Sequence, residues 1–160
     1  MSLFGKARLF LAKPSAMQQW FVPVWCLLGL TRLAKAVLPF RLIARYLGPA
    51  TAPGAVVAAT PDQQARAARI GRIVRMAARH TPWTSDCYPQ ALAAVLMLRL
   101  ASLPYVVTFG LQRGGQEVDG QSADMLAHCW VTSGDTVVCG GAGSTIFRPV
   151  AAFISRRHSS

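Results

Sequence analysis

Apolar residues recur with two different periods in the two parts of the chain. Up to about residue 100 they recur every three or four positions or form long runs, which is typical of α-helices. The predicted helices cover residues 20–30, 31–47 with a break at Pro39, 60–80 and 86–100. Beyond Ser102 the period changes to two, and runs rich in β-branched and aromatic residues predict strands at 105–112, 127–132, 136–139 and 146–150. Helices followed by strands indicate an α+β domain with a small antiparallel sheet.

A nearly all-apolar helix is predicted from residue 86 to Leu100, and a cysteine stands at its start. Ser85 or Asp86 is a good N-cap, and Pro89 fits only within the first turn of a helix. Cys87 is therefore placed at the first or second helical position. There the unpaired backbone N–H groups and the positive end of the helix dipole favour a thiolate, which is the nucleophilic form of cysteine.

His128, at the head of the strand predicted at 127–132, is the downstream candidate for a base that serves this cysteine. The N–H groups at the helix start can stabilise an oxyanion. Gln90 is a further candidate donor, although its place one turn into the helix favours a side chain in solvent. A cysteine on a helix and a histidine on a strand form the arrangement of papain-like and transglutaminase-like enzymes. The residues therefore favour a Cys87–His128 pair.

Residues 1–50 are predicted to form a helical N-terminal segment ahead of a domain at 51–160. The boundary is drawn at 48–54, where glycine, proline and small residues are typical of a linker. Basic residues before the apolar run at 20–30 resemble a signal peptide, but Pro23 interrupts the run and no small-residue cleavage site follows. The run is also shorter than the roughly 20 residues of a membrane-spanning helix. It is either a buried or amphipathic helix, or a basic, aromatic surface helix that rests on a membrane or a partner.

The helix predicted at 60–80 carries many arginines. Thr60, Pro61 and Asp62 provide an N-cap, a proline at the first helical position and an acid at the second. Apolar residues predict one buried side, and five arginines lie mostly on the other side: Arg66, Arg69, Arg72, Arg75 and Arg79. This face is either solvated or grips an acidic peptide. His80, at the end of the helix, is interpreted as structural.

The composition restricts the partners and the compartment. The 160 residues carry 17 Lys and Arg against 6 Asp and Glu, a formal net charge of +11, which attracts nucleic acid, anionic membrane or an acidic partner. With 52% hydrophobic and 14% charged residues, the chain is not a disordered basic tail. The four cysteines (Cys26, Cys87, Cys129 and Cys139) lack the spacing of a zinc site and suit a reduced, cytosolic chain. His128 and Cys129 are strand neighbours whose side chains point to opposite faces, so the two are not expected to serve one site. No metal or cofactor is predicted.

Several features in order resemble the leader peptidase of lasso-peptide biosynthesis, the B protein, whose catalytic domain is a transglutaminase-like cysteine protease. Pro82-Trp83 stands shortly before Cys87, and Pro89 and Ala91-Leu92 follow it. The first predicted strand ends in the Thr-Phe-Gly-Leu of residues 108–111. The Ala-His-Cys-Trp-Val of residues 127–131 is similar to the family's Ala-His-Ala-Trp-Val. The Leu-Pro-Phe-Arg of residues 38–41 resembles the family's N-terminal helical segment, so the likeness covers nearly the whole chain.

The resemblance implies that Cys87 is the nucleophile and His128 the base. It also implies a third residue, usually Asp, roughly a dozen positions beyond the histidine on the next strand. In this chain that region is the Cys-Gly-Gly of residues 139–141, which contains no acid. The nearest carboxylate is Asp135, predicted in the preceding turn. Either Asp135 or a backbone or water partner is therefore expected to orient His128.

The resemblance also implies partners. In the family, a small recognition domain of three strands and helices binds the leader of the precursor peptide, whereas residues 1–50 are predicted to be helical. This implies the standalone peptidase type. Such a peptidase depends on a separate leader-recognition protein and hands the freed core peptide to an ATP-dependent macrolactam synthetase.

Two other functions fit parts of the sequence. A transglutaminase-like acyltransferase, in which an amine replaces water, would use the same pair. A non-enzymatic basic module would bind membrane or nucleic acid through the helix at 60–80, with Cys87 as an inert core residue. The basic module predicts polyanion binding that weakens with salt. No nucleic-acid-binding motif supports it, and the basic residues are not interleaved with aromatic stacking positions.

Overall fold

Four α-helices and a five-stranded sheet make up the part of the chain that the structure describes. This computed structural model describes residues 19–83, 86–113, 125–142 and 144–155. The helices are α1 (Phe21–Val37), α2 (Phe40–Leu47), α3 (Pro61–Ala78) and α4 (Cys87–Leu100). The strands are β1 (Ala50–Thr51), β2 (Val106–Arg113), β3 (Met125–Ser133), β4 (Thr136–Cys139) and β5 (Arg148–Ile154), with a short 3-10 helix at Ser144–Ile146. The predicted α+β class is confirmed.

All strand pairs in the sheet are antiparallel, in the order β1-β5-β2-β3-β4. β4 has its predicted bounds, and β2 and β3 overlap their predicted ranges almost completely. The last strand was predicted at 146–150 but begins only at Arg148, because Ile146 belongs to the 3-10 helix. β1 was not predicted. It lies inside the predicted linker and forms because Ala50 and Thr51 pair with Phe153 and Ala152 of β5.

The starts of α3 and α4 follow their local capping signals. The Thr60 side chain accepts a hydrogen bond from the Gln63 N–H, the Gln63 side chain accepts one from the Thr60 N–H, and Pro61 occupies the first helical position. This capping box satisfies two backbone donors that the helix cannot use itself. α4 begins at Cys87 with Asp86 as its N-cap, so the predicted place of the cysteine is confirmed.

The apolar run at 20–30 and the basic stretch after it form one continuous helix. The prediction that Pro23 interrupts the run is wrong, because this proline lies in the first turn of α1, where its missing N–H breaks no helical hydrogen bond. The break predicted at Pro39 is confirmed: α1 ends before it, and Pro39 is the N-cap of α2. Of the helices that the structure describes, none combines the length and the apolar character that a membrane span requires.

The N-terminal helices share one core with the rest of the molecule. Val24 and Leu28 of α1 and Ile43 and Leu47 of α2 belong to the same buried cluster as α4 and the sheet. The described part of the predicted N-terminal segment thus packs on the core of the domain predicted at 51–160. Other apolar side chains of α1 and α2 are exposed: Val22, Leu30, Leu33, Val37, Phe40 and Leu42. The contact of this segment with a membrane or a partner stays a prediction.

α3 packs directly on β4. Gly71 approaches the Val138 carbonyl so closely that a Cβ at this position would overlap the oxygen. One turn further along α3, the Arg75 guanidinium donates a hydrogen bond to the same carbonyl. Arg75 therefore leaves the arginine face predicted for this helix and turns toward the sheet. The other four arginines of that face are exposed: Arg66, Arg69, Arg72 and Arg79.

Candidate active site

Cys87 lines an open cleft of about 440 Å³ between α3, the start of α4 and the end of β4. It is the first residue of α4 and is half-buried. The other residues that line the cleft are Arg75, Gln90, His128, Val137, Gly140, Gly141 and Ala142. The helix therefore presents its first side chain to an open cleft.

The structure brings His128 to the same cleft. Its Nε2 lies 2.7 Å from the carbonyl oxygen of Gly140. A carbonyl only accepts hydrogen bonds, so Nε2 carries the proton. Cys87 and His128 line the same cleft, and Nδ1 is the ring nitrogen that the contact with Gly140 leaves available. An imidazole held in this way can exchange a proton with the cysteine through Nδ1.

The backbone conformation of Gly140, which directs its carbonyl at His128, is one that other residues do not adopt easily. Its φ is +72°, in the left-handed region that favours glycine. A Cβ at this position would overlap the Cys129 carbonyl oxygen. Gly140 follows His128 by 12 residues, the place at which the resemblance implies an acid. In this chain the backbone itself accepts the Nε2 hydrogen bond there.

Two aromatic rings flank the His128 imidazole. Trp130 stacks beside it, with ring centroids 6.0 Å apart and an angle of 30° between the planes. Phe147 lies closer, with centroids 4.9 Å apart. Gly110 makes room for this arrangement, since a Cβ there would come within 2.8 Å of both aromatic residues. The two rings therefore restrict the orientation of the imidazole plane, in addition to the hydrogen bond that holds its Nε2.

The surroundings of Cys87 favour the thiolate. The pKa of its thiol is lowered from 9.0 to about 5, chiefly by a hydrogen bond with the Cys129 side chain. Burial opposes this shift, while the Cys129 backbone N–H and the His128 side chain add to it. The direction of this shift is the predicted one. Sequence reasoning missed the part that Cys129 plays.

His128 and Cys129 are neighbours on β3, and the expectation that the two do not serve one metal site stays a prediction. Cys129 is 1% exposed and packs in the core. The available signal was the cysteine itself, which replaces the alanine of the resembled motif.

Asp135 lies in the turn between β3 and β4 and is exposed. Among the contacts of the described residues, none joins it to His128, whose Nε2 bonds with Gly140 instead. Its part in catalysis stays a prediction. Of the alternatives that the sequence left open for orienting His128, this geometry favours a backbone partner, the Gly140 carbonyl.

Donors for an oxyanion lie beside the cysteine. Cys87 and Tyr88 occupy the first two positions of α4, where backbone N–H groups have no partner within the helix. Gln90 is half-buried and lines the cleft, although its position favoured a solvent-facing side chain. The cleft therefore combines a thiolate, a histidine and hydrogen-bond donors, the set that acyl transfer needs.

α1 supports the segment that leads into the cysteine helix. The Thr31 hydroxyl lies 3.2 Å from the Pro89 carbonyl oxygen and donates to it. Trp25 packs against Trp83 with ring centroids 5.0 Å apart, and its indole N–H donates to the His80 carbonyl at 3.2 Å. His80 thus lies in this connection and is not among the residues that line the cleft.

A comparison with known protein families finds a match over most of the chain. The profile of the transglutaminase-like superfamily matches residues 34–152, well over half of the chain. The chain belongs to the transglutaminase-like superfamily. The matched range begins in α1 and ends in β5, so it includes α2 as well as the Cys87–His128 pair. Neither the comparison with curated proteins nor that with solved structures finds a match.

Transglutaminase-like folds are typically those of cysteine peptidases and acyltransferases. Membership confirms the transglutaminase-like part of the predicted fold and of the resemblance. The lasso-peptide part stays a prediction. Among the described residues, no group of three or more His, Cys, Asp and Glu side chains is arranged to hold a metal ion.

Proposed function

We propose that this transglutaminase-like protein is a cysteine peptidase that cleaves the leader from a lasso-peptide precursor. Cys87 is the nucleophile and His128 is the base and acid. The observation that carries the proposal is that Cys87, the first residue of α4, and His128, whose Nε2 is held by the Gly140 carbonyl, line one open cleft. The residues around the pair, which resemble those of the lasso-peptide leader peptidases, supply the substrate class.

In the first step, the Cys87 thiolate attacks the carbonyl carbon of the bond between leader and core. The oxyanion that forms is stabilised by N–H groups at the start of α4 and by the Gln90 side chain. His128, protonated at Nδ1, donates this proton to the departing amine of the core as the peptide bond breaks. The core leaves with a free N-terminus, and the leader remains as a thioester on Cys87.

In the second step, His128 removes a proton from water, which attacks the thioester carbonyl. The Cys87 thiolate leaves, and the leader is released with a new carboxylate. The hydrogen bond from Nε2 to Gly140 keeps the imidazole in the same orientation through both steps. No oxidant, metal or other co-reactant besides water is needed.

The proposed reaction involves two partners. A separate leader-recognition protein presents the precursor, since the described residues ahead of β1 are helical, unlike the recognition domain of the family. An ATP-dependent macrolactam synthetase takes the freed core. The exposed arginines of α3 offer a basic surface to an acidic segment of the precursor or of a partner. The four free cysteines suit a reducing cytoplasm.

The test is the mass of the products when the protein is incubated with its precursor peptide and the leader-recognition protein. Hydrolysis predicts two fragments whose masses sum to that of the precursor plus one water. His128→Ala should lose nearly all of this cleavage, because the thiolate loses its proton donor and its base. Asp135→Ala run beside it shows whether the acid in the turn contributes.

The same experiment separates the two alternatives. In the presence of an added primary amine, an acyltransferase would release the leader as an amide in place of the acid. A basic binding module would release neither fragment from the complete mixture, and would bind polyanions in a salt-sensitive way whether or not His128 is present.

A further inference from the structure

Arg75 is the arginine of α3 that turns toward the catalytic cleft. Its guanidinium donates a hydrogen bond to the Val138 carbonyl of β4, and one of its nitrogens lies 3.1 Å from the position that a Cβ on Gly71 would occupy. Gly71 therefore makes room for this side chain, which crosses from the helix to the sheet at the wall of the cleft. The contact with β4 fixes the guanidinium before any peptide binds.

The hydrogen bond to Val138 uses only part of what the Arg75 side chain can donate. A guanidinium carries five N–H donors in a rigid plane. Arg75 is half-buried and lines the cleft together with Cys87 and His128. Because the group is partly shielded from water, its charge acts more strongly on a bound anion than the charge of an exposed side chain does. Arg75 can therefore bind an anionic group that enters the cleft.

The residues described around the cleft include no acid that would neutralise this charge. Of the eight that line it, Arg75 and His128 are basic and none is Asp or Glu. A planar guanidinium matches the two oxygens of a carboxylate and can bind both at once. The steps of the proposed reaction give Arg75 no part. The ligand that suits it best is a carboxylate of the substrate.

We propose that Arg75 is a specificity-determining residue that binds an acidic side chain of the peptide near the bond that Cys87 attacks. The inference deepens the proposed function, since it takes Cys87 as the nucleophile. The bond between leader and core lies inside the precursor, so the carboxylate belongs to an Asp or Glu side chain and not to the end of the chain. The contact orients the peptide and involves no covalent step.

The test compares the rates at which Cys87 is alkylated by reagents that differ only in a carboxylate or an amide. Iodoacetate is paired with iodoacetamide, and N-iodoacetyl-aspartate α-amide is paired with N-iodoacetyl-asparagine α-amide. The modified peptide is identified by mass, and Cys26, which is exposed, is replaced by Ala in every protein compared. Both reagents of a pair meet the same thiolate, so the ratio of their rates does not depend on the pKa of Cys87.

The ratio of acid to amide should depend on Arg75. In the Cys26→Ala background, we expect Arg75→Gln to lower this ratio about threefold or more for at least one pair, because the reagent loses its cationic partner. Arg75→Lys keeps the charge but not the planar fork, so its ratio should fall by less. Arg45→Gln is the matched control, because it removes the same charge from an exposed side chain of α2 outside the cleft. Its ratio should stay near that of the background protein.

The comparison separates recognition of a carboxylate from a purely structural role of Arg75. If Arg75 only ties α3 to β4, its loss changes the rates of both reagents equally and leaves their ratio unchanged. An unchanged ratio for both pairs in folded Arg75→Gln, or an equal fall in Arg45→Gln, overturns the proposal. Should Arg75→Gln fail to fold, an unchanged ratio in Arg75→Lys overturns it. The readout needs no peptide cleavage, so failure to cleave a precursor would count against the proposed function alone.

Discussion

His128 donates its Nε2 proton to the backbone carbonyl of Gly140, 2.7 Å away. The acceptor is a peptide group, which carries no net charge and does not titrate. The contact therefore fixes the tautomer of the imidazole and leaves Nδ1 for Cys87 at any pH at which the protein is folded. In place of a carboxylate, the chain uses a glycine whose backbone turns the carbonyl toward the histidine.

Gly140→Ala should disable the site more than it destabilises the protein. The substitution forces a Cβ toward the Cys129 carbonyl oxygen and strains a residue whose φ is +72°. We expect a loss of about 1–3 kcal/mol in the free energy of unfolding and a large fall in the rate of precursor cleavage, because the partner of Nε2 moves. Urea unfolding and the cleavage assay measure the two effects.

Gly54→Ala is the matched control for that substitution. Gly54 also has a positive φ, of +85°, but a Cβ there meets no atom within 4 Å. The Gly54→Ala protein should lose stability because of the backbone strain but should cleave the precursor at the wild-type rate. Equal cleavage by the Gly140→Ala and wild-type proteins would show that the Gly140 carbonyl does not position His128.

Asp135→Asn should leave the rate of precursor cleavage within about twofold of wild type, as is usual for a surface substitution without a buried partner. Asp135 is exposed in the β3–β4 turn, and the Nε2 contact of His128 is already made by Gly140. The measurement is kcat/KM for the precursor with both proteins. A fall of a hundredfold or so would instead place Asp135 in the catalytic machinery.

The cleavage rate should fall as the pH is lowered through about 5. The pKa of Cys87 is depressed, so the thiolate persists from neutral pH down to this value and is converted to the unreactive thiol below it. The hydrogen bond with Cys129 is the largest cause of that depression. The measurement is kcat/KM between pH 4 and 8. An acid limb with its midpoint near pH 8 would show an ordinary thiol and contradict the described surroundings of Cys87.

Gly71→Ala should destabilise the protein although alanine is the better helix former. In an exposed helix this change stabilises by about 1 kcal/mol. Here the added methyl group would overlap the Val138 carbonyl oxygen and push α3 away from β4, so we expect a loss of about 1–3 kcal/mol in the free energy of unfolding. Gly29→Ala in α1 is the control, because its Cβ would meet a side chain and no backbone atom, the Trp83 ring at 3.2 Å. A gain in stability for Gly71→Ala would show that α3 and β4 are not in direct contact.

Local signals were sufficient for the elements that carry the nucleophile and the base. The N-cap and proline before the apolar run placed Cys87 at the first position of α4, and the two-residue period placed His128 on β3. Both depend on interactions between residues a few positions apart. The order of these elements predicted the α+β class, and the resemblance of their motifs implied the transglutaminase-like fold.

The parts that sequence reasoning missed depend on contacts between residues far apart in the chain. β1 exists only because β5 returns beside it. The Nε2 bond to Gly140 and the cleft shared by Cys87 and His128 join α4, β3 and the end of β4, and no local pattern predicts which face of a strand meets a helix end. Pro23 was misjudged because its effect depends on where the helix begins.

The central claim is that the Cys87 thiolate cleaves the precursor. The most direct measurement is the rate of precursor cleavage by Cys87→Ala beside Cys26→Ala, with the leader-recognition protein present. Cys26 is also a free cysteine but is exposed on α1, outside the set of residues that line the cleft. We expect no detectable cleavage by Cys87→Ala and a wild-type rate for Cys26→Ala. Cleavage by Cys87→Ala at the wild-type rate would contradict it.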